Sequence, residues 1–323
     1  MLNYNTFIIP GKLPKPLDKP MNKRAKLDTG KFCNYDCYFC YYQGHLDECD
    51  TYEEIIERAD KLKALGMEEI DLSGGESSIH PRFFDILDYC NKNFKNVSCL
   101  SNGSKFSNFD FLKKAKDHGL SEILFSLHGL EKYHEKSTRI KGSYNKIIKA
   151  INNAKKLNMC VRINCTVTSE NMDNLKEYAK KIVEIKPYQI NFLPLNYWDS
   201  ANDLEIEDYS ILSNKIKEAI DIIKSKGIEI NVRYIPFCFM IGYEEYVKDI
   251  FQHIYDLKDW NIAAYDYEKP DYIFEIAKNK IILSYFKPSI CKDCKYFFEC
   301  DGIEHKYKKI AHKILKPILK EES

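Results

Sequence analysis

The sequence predicts an α/β fold in which parallel strands curl into an open or partial barrel. Three observations lead there. Short apolar runs alternate with amphipathic segments of helical period from residue 24 onward. About six such strand–helix units fit between residues 24 and 227, too few for a closed eight-unit barrel. Glycines and polar residues collect where the runs end, which is where parallel β/α folds carry their chemistry.

Each element has its own signal. Residues 24–30 (RAKLDTG) form a short strand leading into a cysteine-rich loop. In residues 51–66, Ile55, Ile56, Ala59, Leu62 and Leu65 share one helical face and Gly66 ends the segment. Residues 68–76 (EEIDLSGGE) are a strand closing in glycines. A helix at 81–94 precedes the strand 97–103, and NFDFLKKAKDHG is a helix before the strand 121–129. NKIIKAINNAKKLN and NMDNLKEYAKKIVEIK are helices flanking the strand 160–168. The strand 188–196, a helix in DYSILSNKIKEAIDIIKSKG and a last strand at 228–235 complete the barrel. Residues 1–22 hold four prolines and read as an irregular arm. The expected organisation is therefore arm 1–22, barrel 23–235 and a small C-terminal region 236–323.

Composition narrows the function. With 323 residues, 44% of them hydrophobic, the chain is able to bury a full core. Lys and Arg (49) balance Asp and Glu (48) without a basic stripe, which speaks against nucleic acid as a partner. No apolar run approaches the roughly 20 residues of a membrane span, and the start lacks a secretory pattern. A cytoplasmic location is expected. There, clustered cysteines point to metal or redox chemistry rather than disulfides.

Three of the twelve cysteines sit in CNYDCYFC, as Cys33, Cys37 and Cys40. Three thiolates spaced C-x3-C-x2-C suit an iron–sulfur cube that keeps one iron open, with Phe39 shielding it. The alternative is zinc held by these three and Cys49. The motif resembles the signature of the radical S-adenosylmethionine (SAM) superfamily, and LSGGE (72–76) resembles that family's Gly-Gly-Glu element. The family usually continues that element with Pro, where this chain has Ser77. The resemblance covers residues 24–235 and implies a partial (β/α)6 TIM-like barrel, a 4Fe–4S cluster on Cys33, Cys37 and Cys40, and SAM as cofactor. It implies reductive cleavage of SAM to a 5′-deoxyadenosyl radical that takes a hydrogen from substrate. An electron donor such as flavodoxin or ferredoxin would be a partner. The same resemblance assigns Gly74, Gly75 and Glu76 to the methionine end of SAM and Ser126 to a polar SAM contact.

Other strand ends carry two readings each. Asn102 and His128 would touch cofactor or substrate, or simply organise their turns. Arg162 and Asn164, facing inward, would meet the carboxylate or ribose of SAM; facing outward, they would be structural. Cys90, Cys99, Cys160 and Cys165 read as small core residues.

A second set, Cys291, Cys294 and Cys300, has the spacing C-x2-C-x5-C and resembles part of the auxiliary-cluster region of SPASM and twitch enzymes. One auxiliary 4Fe–4S cluster is implied, with Cys238 as fourth ligand; the alternatives are a four-cysteine zinc site, and Cys238 as a buried apolar residue. Residues 265–286 would supply a small hairpin beside it and the basic stretch 305–320 a tail helix. The resemblance leaves two substrate classes. One is a ribosomally made peptide, with a separate peptide-recognition protein; the other is a small molecule in cofactor or natural-product biosynthesis. A non-catalytic iron–sulfur or zinc protein is the reading from another class.

Overall fold

The computed structural model describes residues 23–64, 66–195, 197, 204–248, 285–297 and 300–319. The expected arm 1–22, Leu65 and most of the expected hairpin 265–286 lie outside these residues.

Seven parallel strands lie side by side in chain order: β1 (Arg24–Asp28), β2 (Glu69–Ser73), β3 (Asn96–Ser101), β4 (Leu120–Ser126), β5 (Cys160–Val167), β6 (Gln189–Pro194) and β7 (Glu229–Val232). The sheet is a curled half-barrel, the partial TIM-like architecture expected from the unit count. Helices return the chain between strands: α1 (Tyr52–Ala64), α2 (Phe83–Asn93), α3 (Phe109–Asp117), α4 (Glu131–Thr138), α5 (Ser143–Lys156), α6 (Leu175–Ile185) and α7 (Tyr209–Ile223). Their starts follow local chemistry. Thr51 and Glu54 make a reciprocal capping box on α1: the Glu54 amide donates to Thr51 Oγ1 and the Thr51 amide to Glu54 Oε2. Asn108 caps α3 and Asp208 caps α7 through side-chain oxygens.

The two faces of the sheet differ. Leu27, Ile70, Leu72, Cys99, Ile123, Phe125, Ile163, Cys165 and Phe192 point outward, are buried, and pack under the helices. Cys90, Cys99 and Cys165 are fully buried, as their reading as core residues expects, while Cys160 at the start of β5 is only half-buried. The inward face is mostly polar. At its lower end Arg24, Asp71, Glu122 and Arg162 form a buried charge cluster. Arg24 lies 3.5 Å from Asp71 and 2.9 Å from Glu122, and Arg162 pairs with the same two carboxylates. Burial works against the Arg24 charge, but the carboxylates of Asp71 and Glu122 outweigh it and hold its pKa above the ordinary value.

After the barrel, β8 (Tyr285–Phe286) pairs antiparallel with β9 (Ile303–Glu304), so the end of the expected hairpin pairs with a later strand. This segment docks on the barrel: Glu304 accepts a hydrogen bond from the Tyr197 amide at 2.9 Å, and the Tyr307 ring stacks on Tyr209 at 4.5 Å. The expected tail helix is reduced to a 3-10 turn at His305–Tyr307 and one short helix, α8 (Ala311–Ile314). Burial of Tyr307, Ala311 and Leu315 against the core splits the stretch, where one amphipathic helix would have exposed its polar face along its whole length.

Candidate active site

The loop after β1 brings Cys33, Cys37 and Cys40 to the rim of one cavity of about 290 Å3. Its backbone is held from three sides. The Cys33 amide donates to Leu46 O at 2.9 Å. The amides of Asp36 and Tyr38 donate to Thr138 O and Ser137 O at the end of α4. Gln43 donates to Asp36 Oδ1 and Cys37 O at 2.7 and 2.8 Å. Burial raises the Cys33 thiol to about 12, with Glu76 adding to it, and pushes Cys37 and Cys40 up as well. Such thiols ionise on taking up a metal, whose charge replaces the lost hydration.

Cys49 is not part of this set. It is exposed, its thiol faces Asp50 O, and its backbone bridges Gly30 across the loop base. The alternative zinc quartet is therefore not assembled. Among the described residues no three His, Cys, Asp or Glu side chains are arranged to hold a single metal ion. Three half-buried thiols on one short loop, flanked by Tyr35 and Phe39 on the same cavity, fit an iron–sulfur cube with one open corner.

Gly74 and Gly75 line the cavity opposite this loop. Gly74 has φ +108, and a Cβ there would lie 2.1 Å from Gly30 O; at Gly75 it would lie 1.9 Å from Phe32 O. The close approach lets the Gly75 amide donate to Gly30 O and the Glu76 amide to Phe32 O, both at 2.9 Å. Only glycine permits this contact between the β2 end and the start of the cysteine loop. Gly75→Ala is expected to cost at least about 1–3 kcal/mol in overpacking and to lower the iron bound per chain, read by thermal melting and iron analysis.

Glu76, expected as a direct cofactor contact, is not among the residues that line the cavity. It is 1% exposed and accepts from Ser78, from Ser101 Oγ at 2.8 Å and from the Asn102 amide at 2.6 Å. Its carboxylate therefore braces the ends of β2 and β3 from behind the cavity wall. Asn102 does reach the cavity, donating to Asn34 Oδ1 at 2.9 Å and approaching Cys33 Sγ at 3.8 Å. Ser126 and Asn164 line the cavity too. Arg162 does not. It faces inward, but one layer deeper, with its guanidinium in the buried charge cluster with Asp71 and Glu122. It is a structural residue of the barrel floor.

His128 is buried on the cavity wall, its ring edge against Phe39 at 4.9 Å. Its Nδ1 accepts from the Thr166 amide at 3.1 Å, so the ring proton sits on Nε2. Burial lowers its pKa to about 3, and burial followed by His128 lowers that of the stacked His134. A histidine held neutral by burial contributes stability above its unfolded pKa. That stability is lost as pH falls through the window from 6.5 toward 3, where the unfolded chain binds more protons. Melting temperature is expected to drop across that window, and His128→Gln to flatten the drop.

The structure adds residues with little signal in the sequence. Ser137, Thr138 and Gln43 hold the cysteine loop. Asn191 on β6 and Arg233 and Tyr234 after β7 line the cavity, Tyr234 with a left-handed φ of +63. Lys26 also lines it, paired with Asp28 at 3.1 Å and donating to Tyr41 at 3.2 Å.

The second cysteine set also converges. Cys238, on a 3-10 turn after β7, lines a small cavity of about 20 Å3 together with Cys291, Cys294 and Cys300. The Phe237 ring stacks on Tyr296 at 4.6 Å beside them, and burial raises Cys291 to about 12. Gly302, with φ +93, lets its amide approach Cys300 Sγ at 3.2 Å. By residue type four thiols suit an iron–sulfur cluster or a zinc ion, but among the described residues no three ligating side chains converge on a single ion.

Comparison with known proteins follows this geometry. Residues 27–182 match the family model described as Radical SAM superfamily. The antilisterial bacteriocin subtilosin biosynthesis protein AlbA of Bacillus subtilis (strain 168) is 28% identical over 180 residues, which is 54% of this chain and 40% of AlbA. The Fe-coproporphyrin III synthase of Methanosarcina barkeri is 24% identical over 207 residues, covering 63% of this chain and 51% of that protein. The chain thus spans about half the length of these curated relatives or less. Among solved structures, native anSMEcpe with bound AdoMet and a Cp18Cys peptide superposes with a TM-score of 0.60 at 16% identity, covering 88% of this chain and 89% of that one. The cysteine loop, the glycine contact and most of the first five strands thus lie in the segment, residues 27–182, that matches the Radical SAM superfamily model.

Proposed function

We propose that the chain is a radical SAM enzyme that modifies a ribosomally made peptide. The observation that carries the radical SAM part is the three-thiol loop locked onto Gly74 and Gly75 at the mouth of one cavity. Cys33, Cys37 and Cys40 would hold the 4Fe–4S cluster. Gly74, Gly75, Asn102, Ser126 and Asn164 would line the SAM site, with Phe39 screening the cluster. When bound, the cluster and SAM supply a 5′-deoxyadenosyl radical that removes a hydrogen from substrate. The chain orients the two and keeps water out: the cavity presents more apolar than polar wall, and His128 stays uncharged within it.

The peptide reading is supported by AlbA, whose name concerns bacteriocin biosynthesis, and by the solved neighbour that holds a peptide beside AdoMet. The coproporphyrin enzyme supports the second reading, a small-molecule substrate. Cys238, Cys291, Cys294 and Cys300 would hold the auxiliary cluster, with zinc as the rival occupant. A flavodoxin or ferredoxin would deliver the electron, in the cytoplasm. Among the described residues no helix is long and apolar enough to cross a membrane.

The test is anaerobic reconstitution with iron and sulfide, then SAM and dithionite. Formation of 5′-deoxyadenosine supports the reading; its absence above background, with the cluster loaded, overturns it. Turnover of candidate precursor peptides against tetrapyrrole substrates separates the two substrate classes.

A further inference from the structure

On the cavity wall, Ser126, Asn164, Asn191 and Asn231 stand in register across β4, β5, β6 and β7. The three asparagines form a one-way ladder. Asn231 Nδ2 donates to Asn191 Oδ1 at 3.1 Å, and Asn191 Nδ2 donates to Asn164 Oδ1 at 2.8 Å. Asn191 and Asn231 are buried, 3% and 5% exposed, so their amides have little water to turn toward. The ladder ends at Asn164, whose oxygen is taken and whose Nδ2 therefore opens onto the cavity that the residue lines. His128 behaves alike: Thr166 occupies its Nδ1, so its Nε2–H is left for the cavity. Among the described residues no Asp or Glu lines this cavity, whereas Lys26 and Arg233 do.

We propose that Asn191 and Asn231 are positioning residues that lock the Asn164 amide with its N–H into the cavity, so that the wall of β4 and β5 receives a carboxylate, that of SAM. The inference rests on the SAM reading above. An asparagine side chain offers an acceptor and a donor of nearly equal shape, and only its partners decide which faces a ligand. A free Asn164 would spend part of its time presenting oxygen to an anion. The ladder couples that choice to its neighbours: Asn164 turning alone would set its own N–H against the N–H of Asn191, two donors facing one another, so the three amides must turn together.

Asn191→Asp tests this. An ionised carboxylate at position 191 only accepts, so Asn164 must rotate to donate to it and turn its oxygen toward the ligand. SAM titrations of the anaerobic, cluster-loaded variant by calorimetry at pH 8 should show a dissociation constant raised about 10- to 100-fold. Lowering the pH should restore affinity, since the protonated carboxyl donates to Asn164 as the native amide does; wild type should show no such recovery. Asn231→Asp, two strands from the ligand, should reverse the ladder in the same way and covers the case in which Asn191→Asp fails to fold. Iron content and melting temperature confirm folded, loaded protein. If wild type binds SAM and both folded variants bind it equally well at every pH, the positioning role is overturned. If wild type binds no SAM, the function proposed above fails, and the ladder's ligand with it.

Discussion

Replacing Cys37 by alanine should abolish 5′-deoxyadenosine formation, a loss of at least about three orders of magnitude, equivalent to about 4 kcal/mol or more in barrier height. Cys37 is the middle ligand of the proposed set, and its backbone oxygen also accepts from Gln43 and from the Cys40 amide at 3.0 Å. Alanine leaves those backbone bonds intact, so the loop should keep its path while the cube loses a corner. Bound iron should fall by about four atoms per chain if the cube is lost. Cys294→Ala should behave differently. That thiol lies on the second cavity, so SAM cleavage should persist within about twofold while substrate turnover is lost. If both variants lose cleavage alike, the division of labour between the two cysteine sets is wrong. Anaerobic assays of the deoxyadenosine product and of iron content distinguish these outcomes.

The second large effect concerns the barrel floor. Asp71→Ala should destabilise the fold by about 3–5 kcal/mol, measured by anaerobic denaturant unfolding. Asp71 is fully buried and accepts from Ser98 Oγ while facing Arg24 and Arg162. Removing it leaves two buried guanidinium groups sharing the remaining carboxylates, and an uncompensated buried charge is what makes broken buried pairs costly. A change below about 1 kcal/mol would mean that Glu122 and Glu69 alone neutralise the floor. The same cluster makes the floor of the barrel interior ionic, while the cavity above it mixes amide and hydroxyl groups with apolar residues such as Leu100 and Leu193.

Much of this architecture was legible in the sequence, for a physical reason. Buried parallel strands such as VSCLS and VRINCTV carry outward apolar residues, and helices such as α1 repeat Ile55, Ala59 and Leu62 at helical spacing. These local periods predicted seven strands and the long helices between them. The short α4 gave no such signal, because its buried residues are His134, Ser137 and Thr138. Yet it is the element whose end anchors the cysteine loop.

The site was legible in a different measure. Cys33, Cys37 and Cys40 stand out by their spacing, and Gly74 and Gly75 by their resemblance to the family's Gly-Gly-Glu element. Arg162 shows the limit of strand alternation, which fixes the face a residue points to but not its depth. Arg162 and Asn164 share the inward face, and only the latter reaches the cavity. The bracing by Glu76 was not legible, because sequence does not show that Ser78, Ser101 and the Asn102 amide already use its oxygens. Asn191 and Asn231 acquire meaning only through register: Asn191 bonds Asn164 across 27 positions of chain, and Asn231 bonds Asn191 across 40. Cys238 was named from its place just past the last barrel strand, and the fold sets it beside Cys291, Cys294 and Cys300.

The central claim is a cluster bound at three corners with SAM at the fourth. Its most direct measurement is the electron paramagnetic resonance spectrum of the anaerobically loaded, dithionite-reduced protein before and after SAM is added, with the second cysteine set removed by substitution. The account predicts a 4Fe–4S signal whose shape shifts on addition of SAM. A zinc-filled loop without that signal, or a cluster signal that SAM leaves unchanged, would contradict it.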